Sequence, residues 1–309
     1  MRILFIDTVH SLLKQELEKK GHICDTAYDK NKTEIQQIIH NYQGIVIRSR
    51  FKIDKEFIDA ATNLEFIARA GSGLDNIDVN YSEKRSINCY NAAEGNRQAV
   101  AEHALGMLLS LFNNLNEVDK EIRNGIWERE KNRGIELAGK TIGIIGYGNN
   151  GSAFTEIIKG FGVNILIYDK YLNNYPNKST MESIYKEVDI LSLHVPLTEE
   201  TTYLVNEDFI RKFEKEIYLI NTSRGKCVNT KHLVSALENG TIKGACLDVL
   251  EYEKTSFEQL STSGFTDDVQ YIIESKKTIL SPHVAGWTIE SNIKIAEVLL
   301  QKIITDYPQ

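Results

Sequence analysis

The chain has 309 residues, 42% of them hydrophobic and 26% charged, which is more than one hydrophobic core usually serves, so two domains are expected. Its net charge of −7 argues against an electrostatic nucleic-acid binder and suits a soluble protein with locally basic pockets for acidic metabolites. Cys24, Cys89, Cys227 and Cys246 are too scattered for a C-x-x-C metal site or a small disulfide framework; no metal is expected, and a reducing cytoplasm is the simplest compartment.

The opening MRILFID is too short an apolar run for a signal peptide and reads as a first strand, and no apolar stretch reaches membrane-spanning length. Strand 2–7, helix 8–20, strand 22–27, helix 32–40, strand 44–48, helix 54–61 and strand 65–69 follow in alternation, the pattern of a parallel sheet. Asn96 to Phe112, NRQAVAEHALGMLLSLF, is apolar around much of its circumference and predicts a long buried helix whose extra apolar surface could face a second subunit. Within it His103 reads as a packed or interface residue and Glu102 as interfacial.

Lys140 to Asp169, KTIGIIGYGNNGSAFTEIIKGFGVNILIYD, runs an apolar strand into Gly146-x-Gly148-x-x-Gly151, then a helix, a second strand and an acid. Gly146 lets the chain turn sharply, Gly148 lets backbone approach a pyrophosphate, and Gly151 lets helix pack on sheet. The pyrophosphate would sit over the helix N-terminus. Asp169 would accept the adenine-ribose hydroxyls and repel a 2′-phosphate, favouring NAD over NADP. Further on, strands are expected at 188–193, 217–221, 243–248 and 277–280, with helices near 206–213, 230–238 and 288–304. The polar stretch 254–275 reads as an inserted loop with a short helix.

Polar residues crowd three of these strand ends, where ligands bind in open α/β sheets. In IYLINTSRGKCVN, Arg224 can grip a carboxylate by two parallel hydrogen bonds. In ACLDVLEYEK, Asp248 and Glu253 lie at and just beyond a strand, with Glu251 as a rival. In ILSPHVAGWT, His283 sits after a proline, with Ala285 and Gly286 allowing close backbone approach. Interconverting a ketone and an alcohol by hydride transfer needs a proton donor or acceptor, a positive group on the substrate and dry positioning. His283, Glu253 and Arg224 supply these roles.

The segments IRSRFKID, ARAGSGLDNIDV, NAAEGNRQAVAEHALGML, ELAGKTIGIIGYGNNG, LHVPLTEET, NTSRG, LDVLEYE and PHVAGW, in this order, resemble the NAD-dependent D-2-hydroxyacid dehydrogenases, of the 3-phosphoglycerate dehydrogenase type. The resemblance covers almost the whole chain. It implies an α/β fold, with a Rossmann-type doubly wound parallel sheet, 96–286, inserted into a smaller flavodoxin-like α/β substrate-binding domain, 1–95 and 287–309. It makes Arg224 the substrate-binding catalytic arginine, Glu253 the histidine's partner and His283 the acid/base. Asp248 would hold the nicotinamide carboxamide; Asn149, Asn150, His194, Val195, Pro196, Thr222 and Ser223 would line the NAD. Ser72 and Gly73 would present N–H groups to the substrate carboxylate. Arg48, Ser49 and Arg50 lie at a strand end where they could meet a phosphate, which resembles the phosphoglycerate-specific members more than the lactate or glyoxylate reducers.

The expected reaction is therefore oxidation of D-3-phosphoglycerate to 3-phosphooxypyruvate, the entry step of serine synthesis, by a homodimer paired through its NAD-binding domains. A glyoxylate/hydroxypyruvate or D-lactate reductase with the same triad is the alternative, and a non-catalytic NAD-sensing protein on this fold is the rival from another class. The chain departs from the pattern at Asn149, at Asn150, usually apolar, and at Lys254, usually proline. No regulatory amino-acid-binding domain follows residue 309, so feedback control through one is not expected.

Overall fold

The computed structural model describes residues 1–253 and 266–308; Lys254 and the first half of the polar stretch 254–275 lie outside them. The chain runs through β1 Arg2–Phe5, α1 Ser11–Lys19, β2 Ile23–Thr26, α2 Lys32–Ile38, β3 Gly44–Ile47, α3 Lys55–Ala60, β4 Phe66–Arg69, α4 Val79–Lys84 and β5 Asn88–Tyr90. It continues through α5 Ala93–Phe112, α6 Leu115–Arg123, β6 Thr141–Ile145, α7 Asn149–Ile158, β7 Asn164–Tyr168, α8 Met181–Glu187 and β8 Ile190–Leu193. It ends with α9 Glu207–Ile210, β9 Ile217–Asn221, α10 Thr230–Asn239, β10 Ile242–Leu247, α11 Asp267–Glu274, β11 Thr278–Leu280 and α12 Ile289–Asp306. Two compact units result: residues 1–97 with the segment from Trp287 onward, and residues 98–253 with the segment ending at Gly286.

In the first unit five parallel strands pair in the order β2-β1-β3-β4-β5. Successive side chains of a strand point to opposite faces. Ile3 and Phe5 accordingly join Leu13 and Leu17 of α1 and Leu299 and Ile303 of α12, while Leu4 and Ile6 join Ile35 of α2 and Phe57 and Ile58 of α3. With both faces covered, the central strands β1, β3 and β4 read as the apolar runs Ile3–Phe5, Gly44–Ile47 and Phe66–Ala68. Short acceptors start the helices: Asn31 and Glu34 form a capping box on α2, and Asp54 and Asp78 cap α3 and α4.

The second unit holds six parallel strands in the order β11-β10-β9-β8-β6-β7. Ile142, Ile144, Ile167 and Ile190 face α5 and α7 through Leu108, Phe112, Phe154 and Ile158. Leu191, Leu193, Leu219 and Leu247 face α8, α10 and α11 through Ile184, Leu233, Leu237 and Ile272. The chain leaves β6 for β7 on one side and returns to β8 on the other, so the strand order reverses between β6 and β8. A full doubly wound sheet carries a further strand beyond β7; among the described residues an isolated bridge from Ile167 to Lys178 stands in that place.

Several elements differ from the sequence expectation. The last strand of the first sheet is β5, reached through α4, and α6 and α8 join the helices; β5, α4 and α8 are short, whereas α6 carries Leu115, Val118 and Ile122 at a helical spacing that the sequence expectation left out. The helix expected at 206–213 is the single turn α9, and the short helix within 254–275 is α11. Helix α5 starts at Ala93, and its apolar circumference is taken up inside the chain: Val100, Ala104, Leu108 and Phe112 are at most 4% exposed. Among the described residues no helix is long and apolar enough to cross a membrane.

Candidate active site

Residues singled out in the second half of the sequence line up along the carboxyl ends of the six parallel strands. Gly146 to Asn150 follow β6, Asp169 follows β7, His194 to Pro196 follow β8, Thr222 to Arg224 follow β9, Asp248 to Glu253 follow β10, and His283 to Gly286 follow β11. Neighbouring strands lie about 4.8 Å apart, so one continuous row runs from Asp169 at one sheet edge, over the β6/β8 reversal, to Arg224, Glu253 and His283 on three adjacent strands.

At the reversal, Gly146 has φ +93° and a Cβ there would stand 2.4 Å from the His194 carbonyl oxygen; one at Gly151 would stand 2.0 Å from that of Gly146. Only glycine permits this turn and this approach of α7 to the sheet. A Cβ at Gly148 would meet nothing within 4 Å, so space lies open in front of the first turn of α7, where N–H groups and the helix dipole favour an anion. Asp169 stabilises the turn from the next strand. Its Oδ2 accepts from Tyr147 N–H at 2.8 Å, and its Oδ1 accepts from Tyr171 and Leu172 N–H at 2.9 and 3.0 Å. Burial alone would raise its pKa, but the three backbone donors together hold it below the ordinary aspartate value.

Five buried side-chain polar atoms lack a partner among the described residues, and three of them, Asn150 Oδ1, His194 Nδ1 and Thr222 Oγ1, lie on this row. Buried polar atoms rarely go unpaired in a finished structure, so three on one crevice fit a polar ligand such as a dinucleotide. The His194 ring stacks near Phe154 at 5.3 Å, its Nε2 meets Ser192 Oγ at 2.8 Å, and burial pushes its pKa down to about 4. It is therefore neutral, and it lies beneath the glycine turn with Nδ1 unpaired among the described residues.

At the far end of the row, Glu253 Oε2 lies 2.7 Å from His283 Nδ1, and Glu253 Oε1 accepts from Leu250 N–H at 2.5 Å. The rival carboxylate points elsewhere: Glu251 accepts from Tyr203 Oη at 2.7 Å and from Thr230 N–H at 3.0 Å, at the start of α10. With Nδ1 against the carboxylate, Nε2 is the ring nitrogen through which His283 would exchange a proton with a reactant. His283 has φ +55°, a conformation uncommon for a residue with a side chain, and its N–H donates to the Asp248 carbonyl at 2.7 Å. Arg224 is half-buried, with Nη1 donating to its neighbour's carbonyl, Ser223 O, at 2.7 Å. Asn221 locks that turn by accepting from Ser223 N–H and Oγ and donating to Arg224 O.

The Asp248 carboxylate, 1% exposed, accepts from Ser281 Oγ at 2.6 Å and from Val284 and Ala285 N–H at 2.9 Å each. It therefore braces the turn that carries His283. Sequence reasoning missed Ser281, although it stands two places before His283. His103, assigned there to packing or an interface, has its Nε2 2.8 Å from Ser281 Oγ.

In the first unit the candidate substrate residues follow the central strands β3 and β4. The backbone after β3 curls around an acid: Asp7 Oδ2 accepts from Arg48, Ser49 and Arg50 N–H at 2.7, 3.2 and 3.3 Å. Such a run of N–H groups is an anion nest, and here Asp7 fills it. Arg50 Nη1 donates to the carbonyls of Ile6 and Ala27 at 3.0 and 3.1 Å, tying strand ends together. The Arg48 guanidinium lies 4.0 Å from the centre of the Trp287 ring. Beyond β4, Ser72 Oγ donates to Asn96 Oδ1 at 2.6 Å, and Asn91 donates to Ser72 O. No described group accepts from the N–H of Ser72 or Gly73, which leaves both able to bind an anion. Among the described residues, no group of three or more His, Cys, Asp and Glu is placed to hold a metal ion.

A family model described as "D-isomer specific 2-hydroxyacid dehydrogenase, NAD binding domain" matches residues 105–285. The chain is 31% identical to a hydroxypyruvate reductase of Thermotoga maritima over 99% of this chain and 98% of that one. It is 36% identical to a glyoxylate reductase of Thermofilum pendens over 91% and 85%, and 29% identical to a D-3-phosphoglycerate dehydrogenase of Archaeoglobus fulgidus over 98% and 57%. The chain spans about half the length of the phosphoglycerate dehydrogenases it matches. A solved structure of an NAD-dependent formate dehydrogenase from Staphylococcus aureus in complex with NAD superposes with a TM-score of 0.79 at 25% identity, covering 100% of this chain and 97% of that one.

Proposed function

Because the chain belongs to the D-isomer specific 2-hydroxyacid dehydrogenase family of NAD-dependent oxidoreductases, we propose that it interconverts a short D-2-hydroxy acid and its 2-keto acid with NAD. The 2.7 Å contact between Glu253 Oε2 and His283 Nδ1 carries the reading. When bound, NAD supplies the acceptor for the C2 hydride. His283 Nε2 takes the C2 hydroxyl proton, and Glu253 stabilises the imidazolium that forms. Arg224 holds the carboxylate and the C2 oxygen by charge-assisted hydrogen bonds. Gly146 to Gly151 would take the pyrophosphate, Asp169 the adenine ribose, and Asp248 the carboxamide. Residues 1–95 with 287–309 form the substrate-binding domain, where Ser72 and Gly73 N–H groups receive the carboxylate.

D-3-phosphoglycerate, oxidised to 3-phosphooxypyruvate, remains the first substrate proposed, supported by Arg48 and Arg50 after β3. A second reading, reduction of hydroxypyruvate or glyoxylate, has two observations in its favour. The Asp7 carboxylate already fills the nest of N–H groups at 48–50, and Arg50 directs its Nη1 to two backbone carbonyls. Steady-state kinetics over phosphorylated and unphosphorylated 2-hydroxy and 2-keto acids separates the readings. Preference for the phosphorylated acid in kcat/KM, lost in Arg48→Ala, supports the first; far better turnover of glyoxylate or hydroxypyruvate sinks it. Binding of NADH with no turnover of any member would instead indicate a non-catalytic NAD sensor. A homodimer paired through the second unit completes the proposal, with the exposed apolar face of α6 and the following segment as its surface, in place of α5.

A further inference from the structure

Taking His283 as the acid/base, as proposed above, we infer that His103 is a positioning residue: it donates through Ser281 to Asp248, and this chain of hydrogen bonds fixes the turn that carries His283. The argument is a proton count. Ser281 Oγ lies 2.6 Å from Asp248 Oδ1 and 2.8 Å from His103 Nε2, and a hydroxyl has one proton to give. The buried Asp248 carboxylate is surrounded by donors, namely Val284 N–H, Ala285 N–H and Ser281 Oγ, so the Ser281 proton goes to it. Ser281 can then only accept from His103, which must carry its proton on Nε2. A bare Nε2 would compete for the same proton and leave Asp248 one hydrogen bond short. Met107 Sδ, 3.7 Å from Ser281 Oγ, is a weak acceptor that Ser281 could turn to if His103 were lost.

This chain of hydrogen bonds ends at a left-handed residue. His283 keeps its φ of +55° with its N–H on the Asp248 carbonyl, while the Asp248 carboxylate clamps the two following N–H groups. A left-handed residue persists only when its surroundings over-determine it. Helix α5 thus contributes a side chain that sets the geometry of a turn more than 170 positions later without touching a reactant.

The test uses the full chain labelled with 15N-histidine. Long-range 1H–15N spectra, assigned with His103→Gln, are expected to show His103 as the Nε2–H tautomer, with that preference lost in Ser281→Ala. In steady-state assays His103→Ala and Ser281→Ala are each expected to lower kcat about tenfold or more, as displacement of a catalytic group does, with KM within about twofold. The double variant should be no worse than either single one, and His103→Gln, whose Nε2 can donate in the same direction, should recover most of the loss. An Nδ1–H tautomer in the wild type overturns the inference. So does a kcat loss that glutamine fails to recover, that multiplies in the double variant or that is absent. If the wild type turns over no 2-hydroxy or 2-keto acid, the proposed reaction falls, and the tautomer measurement still decides whether the network exists.

Discussion

Glu253 receives two donors, His283 Nδ1 and the Leu250 N–H, and that double acceptance makes it irreplaceable by its amide. In Glu253→Gln one oxygen remains, so an NH2 group must face one of the two donors and the imidazolium loses its counter-charge. Steady-state kinetics is expected to show kcat lower by about 10²- to 10⁴-fold, with KM for the nicotinamide within about threefold; a loss under tenfold would remove Glu253 from the acid/base pair. The positions of Arg224, Glu253 and His283 were legible because polar residues at strand ends stand out against apolar strands. The choice between Glu251 and Glu253 rests on Tyr203 and Thr230, far away in sequence. The engagement of Arg50 was hidden for a different reason: its acceptors are backbone carbonyls of Ile6 and Ala27, and carbonyls carry no residue-type signal. The contact of His103 with Ser281 was not legible, because helical periodicity records which face is apolar, not which hydroxyl a ring nitrogen meets.

Helices and strands built on long apolar runs could be read directly, whereas α4, α8 and β5 are short elements of six, seven and three residues. The absence of a strand beyond β7 among the described residues was equally hard to read, since Tyr171, Leu172 and Tyr175 are scattered among polar residues in 170–180 with no strand alternation. What links these local pieces is often one acid, and Asp169 is the clearest case, joining the glycine turn after β6 to the turn after β7 through three backbone N–H groups. Its folded pKa is depressed, so its contribution to stability is fully present above the ordinary aspartate range and is lost as pH falls through the depressed value. Asp169→Asn should lower stability at neutral pH by about 1–3 kcal/mol, the effect of a lost charged acceptor. The difference from wild type should shrink only as the pH drops below the usual carboxylate range. Thermal midpoints of both proteins across acid and neutral pH test this; a constant difference would mean that the Asp169 charge is not what stabilises the turns.

At the scale of the molecule, α6 is the element whose placement is unexplained by the chain itself. Its polar side chains are paired along the helix, Lys120 with Glu117 and Arg123 with Asp119, while Leu115 and Ile122 stand 53% and 47% exposed, followed by Ile126 at 44% and Trp127 at 77%. An amphipathic helix is stabilised by covering its apolar stripe, and an exposed apolar cluster of this kind marks an association surface. Two copies pairing the same patch about a twofold axis would cover it on both at once, over the roughly 1,200–2,000 Å² that a stable interface buries. Light scattering coupled to size exclusion should therefore report twice the chain mass of 35.1 kDa. The paired substitution Ile122→Glu and Trp127→Glu should yield monomers with an unchanged circular-dichroism spectrum, because neither side chain belongs to a core of the chain. A buried aromatic anchor is worth about 2 kcal/mol or more in an interface, so loss of two apolar anchors should move the dimer midpoint upward by at least about a hundredfold in concentration. A monomeric wild type at micromolar concentration, or a dimer that survives both charges, would refute pairing through this face.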